Sequence, residues 1–396
     1  MAKIVVGLSG GVDSSVAALL LKQQGHDVIG LFMRNWNDAA VTLEDECPWI
    51  DDSRDAMMVA EQIGIPFQII DLSEEYKKRI VDYMFAEYEA GRTPNPDVLC
   101  NREIKFDVFL KNALKLGADY VATGHYARRE EVESNGRKIY RLLSGLDQSK
   151  DQSYFLCQLN QQQLSKSLFP IGNLQKSEVR KIATEAGLVT SSKKDSQGLC
   201  FVGKVSLPEF LQQKLSVKPG KVVLIDENSP VLDEHKKNLG SSDAGPLQWA
   251  HRPVFREEDG KVMGTHQGAH FFTIGQRKGL QIGGTGLPMF VLQTDVVNNI
   301  VYTGLGDKHP ALQMRALELA APGLHFVRND LKLIDLINRK LKARVRYRQA
   351  LFDCHIIVTE SRHFCVFDLA QSSVTPGQFL AIYDDDELIC SGTISQ

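Results

Sequence analysis

The sequence predicts an α/β fold: a doubly wound, mostly parallel sheet over about the first 200 residues, then a small central domain and a C-terminal β-barrel. Three observations predict it. In the first half, short β-branched runs alternate with helical patterns about 10 to 15 residues long. A glycine- and serine-rich turn follows the first run directly. Beyond residue 186 helical patterns nearly cease, and short strands separated by Gly, Pro, Asn and Asp take over.

Taken in order, residues 3–8 form the first strand and 16–24 a helix closed by Gly25. Residues 28–33 and 67–70 read as strands, separated by a helix over 55–63 that stops at Gly64. Helices follow over 74–89, ending at Gly91, and over 104–116, before a strand at 120–123. A helix over 177–186 closes this part, and one over 207–215 is the main helical pattern beyond it. Residues 228–258 are polar, carry Ser229-Pro230, Gly240-Ser241-Ser242 and Gly245-Pro246, and show no sustained period, which predicts an exposed insertion. Strands resume at 290–292, 342–347, 355–358 and 379–383. The expected domains are 1–204, 205–287 with the insertion near 227–259, and 288–396.

With 396 residues, 43% hydrophobic and 24% charged, the chain can build a core in each domain. Its 46 Lys+Arg against 49 Asp+Glu leave a formal charge of -3, so any nucleic-acid surface must be a local concentration of charge. The start of the chain meets glycines before any signal-length apolar stretch, and no run approaches a membrane span. Seven scattered cysteines, none in a C-x-x-C pair, suit a reduced, cytoplasmic protein without structural zinc, in which cysteine chemistry would be catalytic.

Between the first strand and helix, Ser9-Gly10-Gly11-Val12-Asp13-Ser14-Ser15 brings backbone N–H groups, hydroxyls and a helix dipole to one turn, where phosphate is the natural occupant. It lacks the lysine of a Walker loop and is not G-x-G-x-x-G. A second motif is Thr93-Pro94-Asn95-Pro96-Asp97-Val98-Leu99-Cys100-Asn101, stiffened by two prolines, with Asp97 and Cys100 on one face of the helical turn after Pro96. At such a helix start the thiol can acidify; equally, Cys100 can be half-buried with Asp97 as a cap. Cys200 follows Lys193-Lys194-Asp195-Ser196-Gln197-Gly198-Leu199, an electropositive setting for a thiolate or persulfide. Alone, it reads as well as a small apolar residue between Leu199 and Phe201.

Arg344, Arg346 and Arg348 alternate with Val345 and Tyr347, so a strand would present three guanidinium groups on one face, either as a phosphate-binding stripe or as a solvated edge. His266 and His270 lie four apart among glycines and make a poor metal site. Asp51-Asp52 suits magnesium or, more simply, a helix cap, and Asp384–Glu387 a solvated turn.

The serine-glycine turn resembles the SGGxDS loop of the PP-loop ATP pyrophosphatase class, which activates a substrate oxygen as an adenylate. Together with GRTPNPDVLCNREIKF at 91–106, Thr123-Gly124-His125-Tyr126, KDQSYFL at 150–156, DSQGLCFVG at 195–203, TIGQRKGL at 273–280 and RYRQ at 346–349, it resembles the bacterial tRNA-specific 2-thiouridylases over nearly the whole chain. The resemblance implies ATP-dependent replacement of the C2 oxygen of a tRNA wobble uridine by sulfur. It implies a persulfide on Cys200, Cys100 as partner nucleophile and Asp97 as acid/base. Gly7, Leu8, Ser9, Gly10, Gly11, Val12, Asp13, Ser14, Met33 and Gly124 would line the ATP site. Asn95, Pro96 and Asp97 would meet the target base, while Lys150, Asp151, Gln152, Arg346 and Tyr347 would touch tRNA. Magnesium is expected with ATP, and the partners would be a persulfide donor, either a cysteine desulfurase or a sulfur-relay protein, and a reductant. Cys100 and Cys200 would end each turnover as a disulfide. Against the family pattern, the 227–259 segment stands out as about thirty extra residues. The other readings are a PP-loop ligase of a small metabolite and a non-catalytic tRNA-binding protein.

Overall fold

The computed structural model describes residues 1–35, 48–134, 136–194, 207–212, 214–337 and 339–395. Its first half is built on a five-stranded parallel sheet of order β3-β2-β1-β4-β7, comprising β1 (Lys3–Gly7), β2 (Asp27–Arg34), β3 (Phe67–Asp71), β4 (Tyr120–Ala122) and β7 (Ser167–Leu168). Side chains along β1 alternate between two cores. Ile4 and Val6 pack with Ala18 and Leu21 of helix α1 (Val12–Gln23) and Ala56 and Ala60 of helix α2 (Pro48–Ile63). Val5 faces the opposite core with Leu31, Val121 and the helical stretches 73–89 and 96–115. Burial on both faces is why β1 reads as an unbroken apolar run.

Both of those stretches are α-helical at their ends and π-helical inside, over Lys77–Val81 and Cys100–Phe109. The second starts earlier than the apolar period suggests, because Asn95 caps it by accepting from the Val98 N–H at 3.1 Å, and Pro96 fits the first helical turn. Helix α2 likewise begins at Pro48, so Asp51 and Asp52 lie inside it rather than capping it. Beyond residue 206, the expected helix ends at Leu211.

The central sheet has the order β10-β11-β8-β9, formed by β8 (Gly220–Leu224), β9 (Lys261–His266), β10 (Met289–Asp295) and β11 (Ile300–Leu305). Thus the strands at 289–305, expected in the barrel, pair with the central sheet instead, with Val301 opposite Val222. The polar segment at 228–258 is not an exposed insertion. It folds into a turn of 3-10 helix at Pro230–Leu232 and helices at Asp233–Gly240 and Pro246–Ala250. Leu232 is fully buried with Val223 and Phe255, and Ala250 packs with Ala316, Phe364 and Val366. His235 bonds the carbonyls of His251, Pro310 and Gln313 at 3.1–3.2 Å. Helices this short bury too few side chains each to produce a visible period.

The C-terminal sheet is formed by β12 (Gln313–Leu319), β13 (His325–Phe326), β14 (Leu341–Arg344), β15 (Phe352–Thr359), β16 (Arg362–Ser372), β17 (Phe379–Asp384) and β18 (Glu387–Thr393). It is extended by a hairpin from the first half, β5 (Ala127–Ser134) and β6 (Arg137–Ser144), with Leu142 opposite Leu388. Ion pairs fix the junction: Arg141 and Arg328 meet Glu387 at 2.7 and 3.2 Å, and Arg128 meets Asp386. Asp385 and Asp386 form the exposed hairpin turn expected of the acidic run, whereas Glu387, at the start of β18, is 3% exposed and paired. No helix among the described residues is long and apolar enough to cross a membrane.

Candidate active site

Strand order reverses at β1, with β2 on one side and β4 on the other, and in such sheets ligands bind beyond the carboxyl ends of the strands at that switch point. The loops after β1 and β4 are the serine-glycine turn and Thr123-Gly124. Leu8 continues the pairing by donating to Leu31 O at 3.0 Å, and the chain then turns at Gly10, whose left-handed φ of 72° suits glycine. A side chain on Gly10 would also run into the backbone of Asp52 on α2. Gly124 sits against the start of α1, where a Cβ would lie 2.6 Å from Asp13 C and Ser14 N.

Inside the turn, Ser14 Oγ accepts from the Ser9 N–H and donates to Gly11 O, both at 3.1 Å. Ser15 Oγ donates to Gly11 O at 2.8 Å and accepts from Thr190 Oγ1 at 3.0 Å. Gly11 is the N-cap of α1, and no side chain caps that end, which leaves its positive dipole to an anion. The structure brings Met33 alongside, with its methyl 3.7 Å from where a Cβ on Gly7 would stand and Phe109 at 3.6 Å. Met33 thus lies against Gly7 and Gly124 against the start of α1, so these residues cluster around the turn, with the Leu8 and Val12 side chains buried in the cores beneath it. The turn, its hydroxyls and the uncapped helix suit a polyphosphate, and the Asp13 carboxylate suits a magnesium ion that takes most of its ligands from phosphates and water.

Sequence reading missed two neighbours of this turn. Lys176 Nζ lies 2.7 and 2.8 Å from the two Asp13 carboxylate oxygens, and the Tyr126 hydroxyl donates to Asp13 Oδ1 at 2.8 Å. Lys176 carries no local motif, and Tyr126 stands in the Thr123-Gly124-His125-Tyr126 motif without local sign of its partner, since both reach Asp13 from more than a hundred residues away.

Cys100 lies on the helix that also carries Phe109, and it is 1% exposed. Burial pushes its thiol up to about 11; the Asp97 carboxylate raises it further, while Lys105 and a hydrogen bond from Tyr76 oppose the shift. Of the two readings left open by the sequence, this favours the buried cysteine over the acidified thiol: Cys100 does not stand at an open helix end, because Pro96–Leu99 precede it and the apolar core covers it. The thiolate fraction in this closed arrangement should rise about tenfold per pH unit from pH 8 to about pH 10. Alkylation of Cys100 by iodoacetamide, followed by peptide mass analysis, should track that rise; a plateau near neutral pH would contradict the assignment.

The loop before Cys100 is held by the C-terminal sheet. Gln378 Nε2 donates to the Thr93 and Pro94 carbonyls at 2.9 Å, and Asn95 Nδ2 donates to Gln378 Oε1 at 3.1 Å. Asp97 accepts from Asn101 Nδ2 through its backbone carbonyl at 3.0 Å. Burial and the Lys105 charge hold the His125 imidazole well below its usual range, and its Nδ1 bonds Thr123 Oγ1 at 2.7 Å.

Cys200 and the segment 195–206 lie outside the described residues. Of the two lysines that precede it in the sequence, Lys193 is neutralised by Asp52 at 2.7 Å and by Asp55. The same pairing occupies Asp52. Among the described residues no group of three His, Cys, Asp or Glu is placed to hold a metal ion, and His266 Nδ1 accepts from the Gly268 N–H at 2.9 Å. No disulfide joins the described cysteines 100, 157, 354, 365 and 390.

The arginine stripe does not form. Strand β14 ends at Arg344, and Arg348 has a left-handed φ of 63°, so the assumed alternation breaks. Arg344 is buried, pairs with Asp151 and donates to the Tyr383 hydroxyl at 2.9 Å. Asp151 is 1% exposed and also accepts from the Gly145 and Ser153 N–H groups at 2.9 and 3.1 Å, so its carboxylate faces inward rather than towards a tRNA. Arg346 is exposed and bonds the Ser373 carbonyl. Tyr347 OH approaches Lys150 O at 3.4 Å and its ring packs on Phe155 with centroids 4.5 Å apart. Gln152 exchanges hydrogen bonds with the backbone of Tyr126. The two distant segments 150–152 and 346–347 thus meet, with Arg344 as their buried link. Arg344→Ala would strand the Asp151 charge and should lower stability by about 3–5 kcal/mol in chemical denaturation. A cost below about 1 kcal/mol would contradict the buried pair.

A parallel sheet with this serine-glycine turn at its switch point, followed by two β units, defines a HUP-domain protein of the PP-loop type. The model described as the tRNA methyl transferase HUP domain matches residues 2–204, that of the tRNA methyl transferase PRC-barrel domain 246–305, and that of the aminomethyltransferase beta-barrel domain 318–394. The middle match begins inside the segment expected to be extra, so that its latter part belongs to the family pattern. The chain is 60% identical over 395 residues to a tRNA-specific 2-thiouridylase of Christiangramia forsetii and 59% identical to one of Flavobacterium johnsoniae, with 100% of both chains covered in each case. It is 44% identical to that of Bacillus subtilis, covering 99% of this chain and 94% of the other. The chain belongs to the tRNA-specific 2-thiouridylase family.

Proposed function

We propose that this chain, in the cytoplasm, replaces the C2 oxygen of the wobble uridine of tRNA by sulfur, with ATP as the activating substrate and magnesium as its counter-ion. The observation that carries the reading is the uncapped, hydroxyl-lined turn at the sheet's switch point, in a chain of this family. Uridine O2 is a poor leaving group; its attack on the α-phosphate of ATP makes an O2-adenylate and releases pyrophosphate, whose charge the turn is suited to receive. Asn95, Pro96 and Asp97 would hold the base, with Asp97 moving the proton. Lys150, Gln152, Arg346 and Tyr347 would meet the tRNA, while the inward-facing Asp151 shapes the segment from behind.

Sulfur would arrive as a persulfide on Cys200, supplied by a cysteine desulfurase or a sulfur-relay protein. By one route the persulfide sulfur attacks C2 and expels AMP, and Cys100 then cleaves the S–S bond. By the other, Cys100 first displaces hydrosulfide, which attacks C2. Both leave AMP, thiolated tRNA and a Cys100–Cys200 disulfide that an outside reductant reopens. Pyrophosphate release that requires tRNA supports this reading. Release driven by a small metabolite without tRNA would indicate a ligase instead, and tRNA binding without release a non-catalytic RNA-binding protein.

A further inference from the structure

We infer that Lys176 is a phosphate-binding residue of the nucleotide site, held in reserve by Asp13 until an anion enters the turn. The inference rests on the phosphate reading of that turn and goes beyond it by adding a mobile cation. Lys176 is the first residue of the helix Lys176–Glu185, an end whose dipole disfavours a lysine, so helix formation does not explain its presence. Its side chain is only 12% exposed, and its ammonium spans both carboxylate oxygens of Asp13, which is the second residue of α1. The cation therefore stands beside the uncapped helix end that faces the proposed phosphates.

The backbone beneath it is anchored while the side chain can pivot. Lys176 N donates to Asp147 Oδ2 at 2.9 Å, and Asp147 is itself fixed by the Ser149 N–H at 3.0 Å and the Ser149 hydroxyl at 2.6 Å. The Glu178 carboxylate closes the same turn by accepting from the Gln175 N–H at 2.7 Å. When Lys176 leaves, Asp13 keeps the Tyr126 hydroxyl and remains oriented. A polyphosphate offers a lysine more negative charge than one carboxylate, and four rotatable bonds let the ammonium swing from one to the other. The handover leaves the Asp13 oxygens available for a cation that accompanies the nucleotide.

Calorimetric titration of the full chain with inorganic pyrophosphate in EDTA tests this without turnover or metal. Lys176→Gln should weaken binding about ten- to hundredfold, and Lys176→Arg should restore most of it. Asp13→Asn should tighten binding, because it frees the lysine and removes a repelling carboxylate. The decisive protein is the double variant Asp13→Asn/Lys176→Gln. If Lys176 touches the phosphates, the double variant binds well below Asp13→Asn, by about the ten- to hundredfold that the lysine supplies; if Lys176 only neutralises Asp13, it binds as tightly as Asp13→Asn, and the inference falls. Thermal unfolding of the same four variants separates lost ligand contact from lost fold: a Lys176→Gln chain that unfolds early yet binds pyrophosphate like wild type would also overturn it. Wild-type chain that binds neither pyrophosphate nor ATP would remove the phosphate reading of the turn itself.

Discussion

Asp13→Ala is expected to abolish tRNA-dependent AMP and pyrophosphate formation, a loss of about 10³-fold or more. The residue does two things at the start of α1: it holds the Lys176 ammonium, and it presents carboxylate oxygens where a metal accompanying ATP would sit. Removing it leaves the turn with hydroxyls and N–H groups but no means of ordering the cations around the phosphates. Ser14→Ala should behave similarly for a different reason, since the Ser14 hydroxyl ties Ser9 N to Gly11 O and so sets the shape of the turn. Binding and turnover should then separate, with Asp13→Asn holding metal-free pyrophosphate more tightly while failing to release it from ATP. Full turnover in Asp13→Ala or Ser14→Ala would end the assignment of this turn to nucleotide activation.

The second large effect concerns the cysteines. Cys100→Ser should still accept persulfide sulfur at Cys200 but form no thiolated tRNA, whereas Cys200→Ser should lose both. A disulfide needs Cα atoms within roughly 4.4 to 6.8 Å, and Cys100 is 1% exposed beneath the core that covers its helix. Forming the proposed disulfide would therefore require the cover over Cys100 to open, and the same opening would relieve the burial that pushes its thiol up. Peptide mapping after one turnover without reductant should recover a Cys100–Cys200 cross-link. Thiolated tRNA formed with no such cross-link would show that the pairing is wrong.

Local patterns carried most of this in the sequence. The serine-glycine turn between an apolar strand and a helix located the phosphate surface, because strand, turn and helix are adjacent in the chain. What stayed hidden depends on contacts between distant residues. Lys176 reaches Asp13 across 163 positions, and Arg344 reaches Asp151 across 193, so nothing near either lysine or arginine marks its partner. The alternating arginines looked like a strand face because alternation was assumed to run through Arg348, whereas the strand stops at Arg344. Cys100 looked reactive because its prolines and Asp97 are local, while Tyr76 and the apolar core that raise or tune its thiol come from another helix. The helices within 228–258 were too short to show a period, yet Leu232, His235 and Ala250 bury themselves between the two β units.

The most direct test of the whole reading is mass analysis of nucleosides from tRNA incubated with the purified chain, ATP, magnesium and a persulfide source. The expected product is 2-thiouridine at the wobble position, formed with one AMP per sulfur and absent when ATP is left out. Unmodified wobble uridine under conditions where the chain binds tRNA and ATP, or sulfur inserted at another base, would contradict it.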